Sequence, residues 1–100
     1  MTTLALYLRL EAKPGKEQEV ENLLKEVRSA VLTEPETKAW FALRIGPSTF
    51  AIFDAFSDER GREAHLNGAL VAGLMAKAAD LFANSLEIVR VDVVADKIAP

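Results

Sequence analysis

Two segments near the middle of the chain are apolar on both faces, and they constrain the fold more than any other feature. Lys38 to Ile45 and Phe50 to Phe56 read as strands around Gly46-Pro47-Ser48-Thr49, a turn sequence that closes them into a hairpin. Phe41, Leu43 and Ile45 alternate with Trp40 and Ala42, while Phe50, Ile52 and Phe56 alternate with Ala51, Phe53 and Ala55. A helix-covered antiparallel sheet normally keeps its second face polar, because water lies on it. These strands need cover on both sides.

That cover has to come from a short chain. One hundred residues can build one core but not two, so residues 1–100 are read as a single domain. Half of them are hydrophobic, which excludes wholesale disorder. Thr3 to Leu10 alternates with Leu4, Leu6, Leu8 and Leu10 on one face, the mark of a strand. Pro14-Gly15 opens a helix from Lys16 to about Leu32, with Val20, Leu23, Leu24, Val27 and Val31 at helical spacing. Thr33-Glu34-Pro35-Glu36 breaks it ahead of the hairpin. Ser57 is the expected N-cap of a second helix that runs to about Leu66, with Asp58 and Glu59 suited to the helix dipole. After Asn67-Gly68 a third helical piece, Ala69 to Phe82, carries no charge before Lys77. Leu86 to Val94 reads as the last strand.

The order β-α-β-β-α-β predicts an α+β, ferredoxin-like fold, a four-stranded antiparallel sheet with helices on one face. The uncovered apolar face then predicts a homodimer that stacks sheet on sheet, with Tyr7 and Arg9 turned toward the partner. A monomer that leaves the strands bare is the alternative.

Composition removes several chemistries. The absence of Cys excludes disulfides, thiolate nucleophiles and Cys-based metal sites, and a lone His65 excludes a multi-histidine metal site within one chain. A net charge of −3 gives no general reason to bind nucleic acid. No apolar run is long enough for a transmembrane helix, and Met1-Thr2-Thr3-Leu4 lacks the positive start of a signal peptide, so the expected location is cytoplasmic. Phosphate-loop, dinucleotide, nucleophile-elbow and zinc-protease motifs are all missing. No cofactor or metal is expected.

Three stretches carry a family resemblance. They are Lys13-Pro14-Gly15-Lys16-Glu17, the run from Phe50 to Asp58, and Glu63-Ala64-His65-Leu66-Asn67. In their order and spacing the chain resembles, from Leu4 to Lys97, the antibiotic biosynthesis monooxygenase superfamily of dimeric α+β barrels. The resemblance implies a cofactor-independent monooxygenase that acts with O₂ on an aromatic phenol, anthrone or quinol. The alternative is a non-catalytic dimeric module of the same fold, a small-ligand binder or stress-related protein. The chain departs from the family at Asp54, where a Glu is usual, and in the lack of a second His after His65. The haem-degrading branch uses a strand-one Asn, a Trp where this chain has His65 and an axial His near Met75, so haem cleavage is not expected.

His65 titrates near neutrality and suits a base that removes a phenolic or activated C–H proton. Its small neighbours Gly61, Ala64 and Gly68 leave room for a flat ligand; the alternative is a structural imidazole that ties helix to sheet. Asp54 stands on an otherwise apolar strand and needs a partner if buried, either His65, Arg44 or Arg90. His65 and Asp54 are the candidate catalytic residues. Trp40, expected opposite Asp54, together with Leu70, Leu74 and Met75 on the third helix, forms the candidate substrate wall.

Overall fold

The alternating leucines of the first strand mark the inner face of the sheet. In the computed structural model, which describes residues 2–99, Leu4–Glu11 forms β1. It pairs antiparallel with β3 (Thr49–Phe56) on one side and β4 (Ile88–Asp92) on the other. β2 (Thr37–Arg44) pairs with β3, which gives the order β2-β3-β1-β4. Three helices, α1 (Glu17–Val31), α2 (Glu59–Leu66) and α3 (Ala69–Leu81), complete a ferredoxin-like α+β fold. Among the described residues no helix is long and apolar enough to cross a membrane.

The register assigns each side chain to a face, because directly opposed residues point the same way. Leu6, Leu8 and Leu10 lie opposite Asp54, Ile52 and Phe50, which lie in turn opposite Trp40, Ala42 and Arg44. Onto this face Val20 and Leu24 of α1 and Leu70, Leu74 and Leu81 of α3 close the core. Gly15 makes the turn into α1 with φ +83°, a conformation that a side chain would strain. Arg62 of α2 is buried, and its Nη1 donates to the carbonyls of Ala5 and Val91, pinning the helix over β1 and β4.

The other face carries a row that crosses all four strands: Phe41, Phe53, Tyr7 and Val89. At its edges Phe41 is 54% exposed and Val89 44%, with Leu43 beside them at 41%. Two boundaries differ from the sequence expectation. Asp58, not Ser57, caps α2: its carboxylate accepts from the Gly61 N–H, while the Ser57 carbonyl accepts the Thr3 hydroxyl. β4 is shorter than 86–94: it pairs from Ile88, opposite Leu8, to Asp92, opposite Leu4, the first residue of β1.

Candidate functional site

β3 and α2 bring the two sequence-selected polar residues together. Asp54 occupies an inner-face position between Leu6 and Trp40, and His65 lies about two turns into α2, above it. His65 Nε2 is 3.0 Å from Asp54 Oδ2. Each residue is only 2% exposed. Of the partners weighed for Asp54, the structure selects His65; Arg44 pairs with Glu21, and Arg90 with Glu63 and Glu59.

The other ring nitrogen, Nδ1, lies 2.6 Å from Glu34 Oε1. Glu34 belongs to the segment between α1 and β2, and its carboxylate also accepts from Thr37 Oγ1. Sequence reasoning treated that segment as a helix breaker only and missed Glu34. The small residues around His65 held the signal, but they make room for chain, not for a ligand. A Cβ on Gly61 would lie 3.0 Å from Glu36 Cβ, and one on Gly68 would lie 3.2 Å from Glu34 Oε2. The close approach of the connection delivers the second carboxylate.

Two carboxylates flank the buried imidazole and favour its charged form. Burial disfavours the imidazolium, but the hydrogen bonds it donates to Asp54 and Glu34, together with their negative charge, outweigh it, so His65 titrates above its ordinary value. Burial pushes the Asp54 carboxyl up; the His65 hydrogen bond and charge oppose this, and Glu34 adds to it. Asp54 Oδ1 is buried with no hydrogen-bond partner among the described residues. An unpaired buried carboxylate oxygen is costly as an anion and gains from taking a proton.

Asp54 and His65 close one end of a cavity between the sheet and the helices α2 and α3. The rest of its wall is aliphatic or thioether, with Leu6, Ile52, Leu70, Leu74 and Met75 prominent. Its free volume for the centre of a water molecule is about 20 Å³, enough for about one water. Leu70, Leu74 and Met75, the third-helix residues of the expected substrate wall, line this cavity. Trp40 does not: it lines a separate hollow of about 450 Å³ between α1 and the hairpin, with Leu24, Phe50, Arg28 and Arg44. It does pair with Asp54 across the strands, yet α1 covers it, whereas α2 and α3 cover Asp54. The cavity wall is therefore aliphatic without Trp40, and the ring of Phe56 packs against His65 with centroids 5.4 Å apart. Among the described residues no group of three or more His, Cys, Asp or Glu is arranged to hold a metal ion.

No protein-family model and no curated protein sequence matches the chain. Solved structures do. The NE2512 protein of unknown function from Nitrosomonas europaea is 50% identical, with 100% of this chain and 97% of that one aligned at a TM-score of 0.96. A second Nitrosomonas europaea protein, named as a putative antibiotic biosynthesis monooxygenase, is 16% identical over 92% of this chain and 99% of its own, with a TM-score of 0.81. A Caulobacter crescentus protein of the same name is 15% identical over 94% and 92%, with a TM-score of 0.79. At these lower identities the likeness is one of fold.

Proposed function

The chain belongs to the same family as the NE2512 protein and has the antibiotic biosynthesis monooxygenase fold, and on that premise we propose that it is a cofactor-independent monooxygenase acting on an aromatic phenol, anthrone or quinol with O₂. One observation carries the reading: a buried Asp54–His65 pair closes an otherwise apolar cavity. A base in such a place removes the substrate proton away from water, leaving a phenolate or carbanion that gives an electron to O₂. For an anthrone-type methylene the net change is CH₂ plus O₂ to C=O plus H₂O, so both oxygen atoms and all electrons are accounted for. Met75 is the half-exposed side chain of the cavity wall, and substrate entry requires it and α3 to move outward. We further propose a homodimer through the open sheet face, supported by its exposed Phe41, Leu43 and Val89.

A second reading, a non-catalytic small-ligand module of the same fold, draws support from the present size of the cavity and from the occupation of both His65 nitrogens. Oxygen uptake against a panel of hydroquinones and anthrones separates the two. The enzyme reading expects uptake that falls by ~10²–10⁴-fold in Asp54→Asn. Saturable binding without uptake on any member of the panel selects the second reading.

A further inference from the structure

Both nitrogens of His65 are engaged, so the imidazole has no free position from which to meet a substrate. Asp54 lines the cavity, and its Oδ1 is buried with no hydrogen-bond partner among the described residues. On the far side of the ring the chemistry continues. Glu34 lines a different hollow, of about 260 Å³, formed by the α1–β2 connection and by Gly61 and Ala64 of α2. Its carboxylate retains 20% of its exposure, against 2–3% for His65 and Asp54. A buried carboxylate, a buried imidazole and a solvent-reaching carboxylate thus follow one another, 3.0 Å and 2.6 Å apart, from one hollow to the next, with His65 in the wall of both. Both ring nitrogens of the buried histidine meet a carboxylate, and the two carboxylates differ in exposure.

We propose that Asp54, His65 and Glu34 form a proton relay through the α2 layer, with Asp54 taking the proton of a phenol bound in the enclosed cavity and Glu34 releasing one to solvent. The inference rests on the reading of that cavity as the substrate site. The step starts from the triad written as carboxylate, imidazolium, carboxylate, with net charge −1. The phenol O–H bond breaks and an Oδ1–H bond forms, so Asp54 becomes neutral and the ligand a phenolate. Neutral Asp54 no longer stabilises the imidazolium across 3.0 Å. The Nδ1 proton then passes to Glu34 Oε1 and on to water. The end state is neutral Asp54, neutral His65, anionic Glu34, the phenolate and one released proton, which sums again to −1. No electron moves in this step.

The other charges around the ring leave the path intact. Glu36 lines the same open hollow as Glu34, while Arg62, the buried cation of α2, is turned to Glu59 and to the carbonyls of Ala5 and Val91. Asp54 is here the catalytic residue, and His65 and Glu34 are positioning residues that act through it.

The test uses 4-nitrophenol, whose ionisation is read by its own absorbance and which needs no oxygen chemistry. The phenol is mixed rapidly with protein in weak buffer containing a pH indicator, so that phenolate formation and proton release are followed together. Wild type should ionise the bound phenol and release a proton. Glu34→Gln should slow the release by about tenfold or more while the phenolate still forms, and Glu34→Asp should recover most of the rate. Asp54→Asn should abolish ionisation. Release at the wild-type rate in Glu34→Gln, ionisation that survives Asp54→Asn, or a wild type that fails to bind or ionise the phenol overturns the relay. His65 is the only histidine, so its ring ¹⁵N signals report on every variant that folds. A wild-type ring that titrates at the ordinary histidine value also overturns the relay. Absence of oxygen uptake together with intact relay signals removes the monooxygenase reading and leaves the relay standing. Oxygen uptake that Glu34→Gln leaves unchanged at every pH does the reverse.

Discussion

Replacing His65 by Leu should be far more damaging than replacing His65 and Asp54 together. In the single variant Asp54 stays in place, 2% exposed, and loses the hydrogen bond to Oδ2 while Oδ1 has none to begin with. An uncompensated buried charge of this kind costs about 3–5 kcal/mol. Against a total stability of roughly 5–15 kcal/mol, that is a large share of the fold. For a chain of this size the melting temperature should fall by about 12–40 °C, at ~4–8 °C per kcal/mol. The Asp54→Leu/His65→Leu double variant removes both polar groups from an already aliphatic wall and should lie within ~1–2 kcal/mol of wild type. Urea unfolding followed by the fluorescence of Trp40, the only tryptophan, measures both. Lowering the pH should shrink the loss in the single variant, because Asp54 then carries its proton and the buried charge disappears. A single variant that costs under ~1 kcal/mol at pH 8, or a double variant whose cost is the sum of its parts, would refute the reasoning.

Arg62→Met should lower stability by ~2–3 kcal/mol in the same assay, because it removes charged hydrogen bonds to Ala5, Val91 and Glu59 from a buried position; a loss below ~0.5 kcal/mol contradicts that role. Phe53→Lys puts a charge in the middle of the open apolar row and should give a monomer or a poorly soluble chain by sedimentation, whereas an unaltered dimer contradicts the proposed interface. Stability should fall as the pH rises from about 6 to 9. His65 binds its proton more tightly folded than unfolded, so its contribution is full below the unfolded value near 6.5 and fades through the higher folded one, by at most ~1.4 kcal/mol per pH unit. Asp54, also raised, acts in the same sense from its unfolded value of 3.8 upward, and a urea midpoint that stays flat or climbs over this range is the contrary result.

The parts of the fold legible in advance are those with a period. The leucines of β1 recur every second residue, so they declare their face before any partner is known, and the register extends that face to Asp54 and Trp40. Asp54 was visible as a site residue because it interrupts an apolar strand that tolerates no unpaired charge. Glu34 was not, since a connection of Thr, Glu and Pro has no period to show which of its side chains turns inward. Gly61 and Gly68 did point to a close approach beside His65; sequence alone does not say whether a ligand or the chain itself makes it. Trp40 failed for a related reason. Strand pairing fixes its neighbour across the hairpin, but which helix lies above each strand is decided by helix–helix packing, where α1 and α3 share most of their contacts with each other.

The central claim, that the Asp54 end of the enclosed cavity performs acid–base chemistry on a phenolic substrate ahead of oxygen, is tested most directly by oxygen uptake. Wild type and Asp54→Asn are compared on the best hydroquinone or anthrone of the panel, with folding of both checked by circular dichroism. The amide keeps the shape and a hydrogen-bond acceptor for His65 but cannot take a proton. Turnover should fall by ~10²–10⁴-fold in the variant, with kcat affected more than KM. Equal turnover by the two proteins, or no uptake by wild type on any substrate of the panel, would contradict the account.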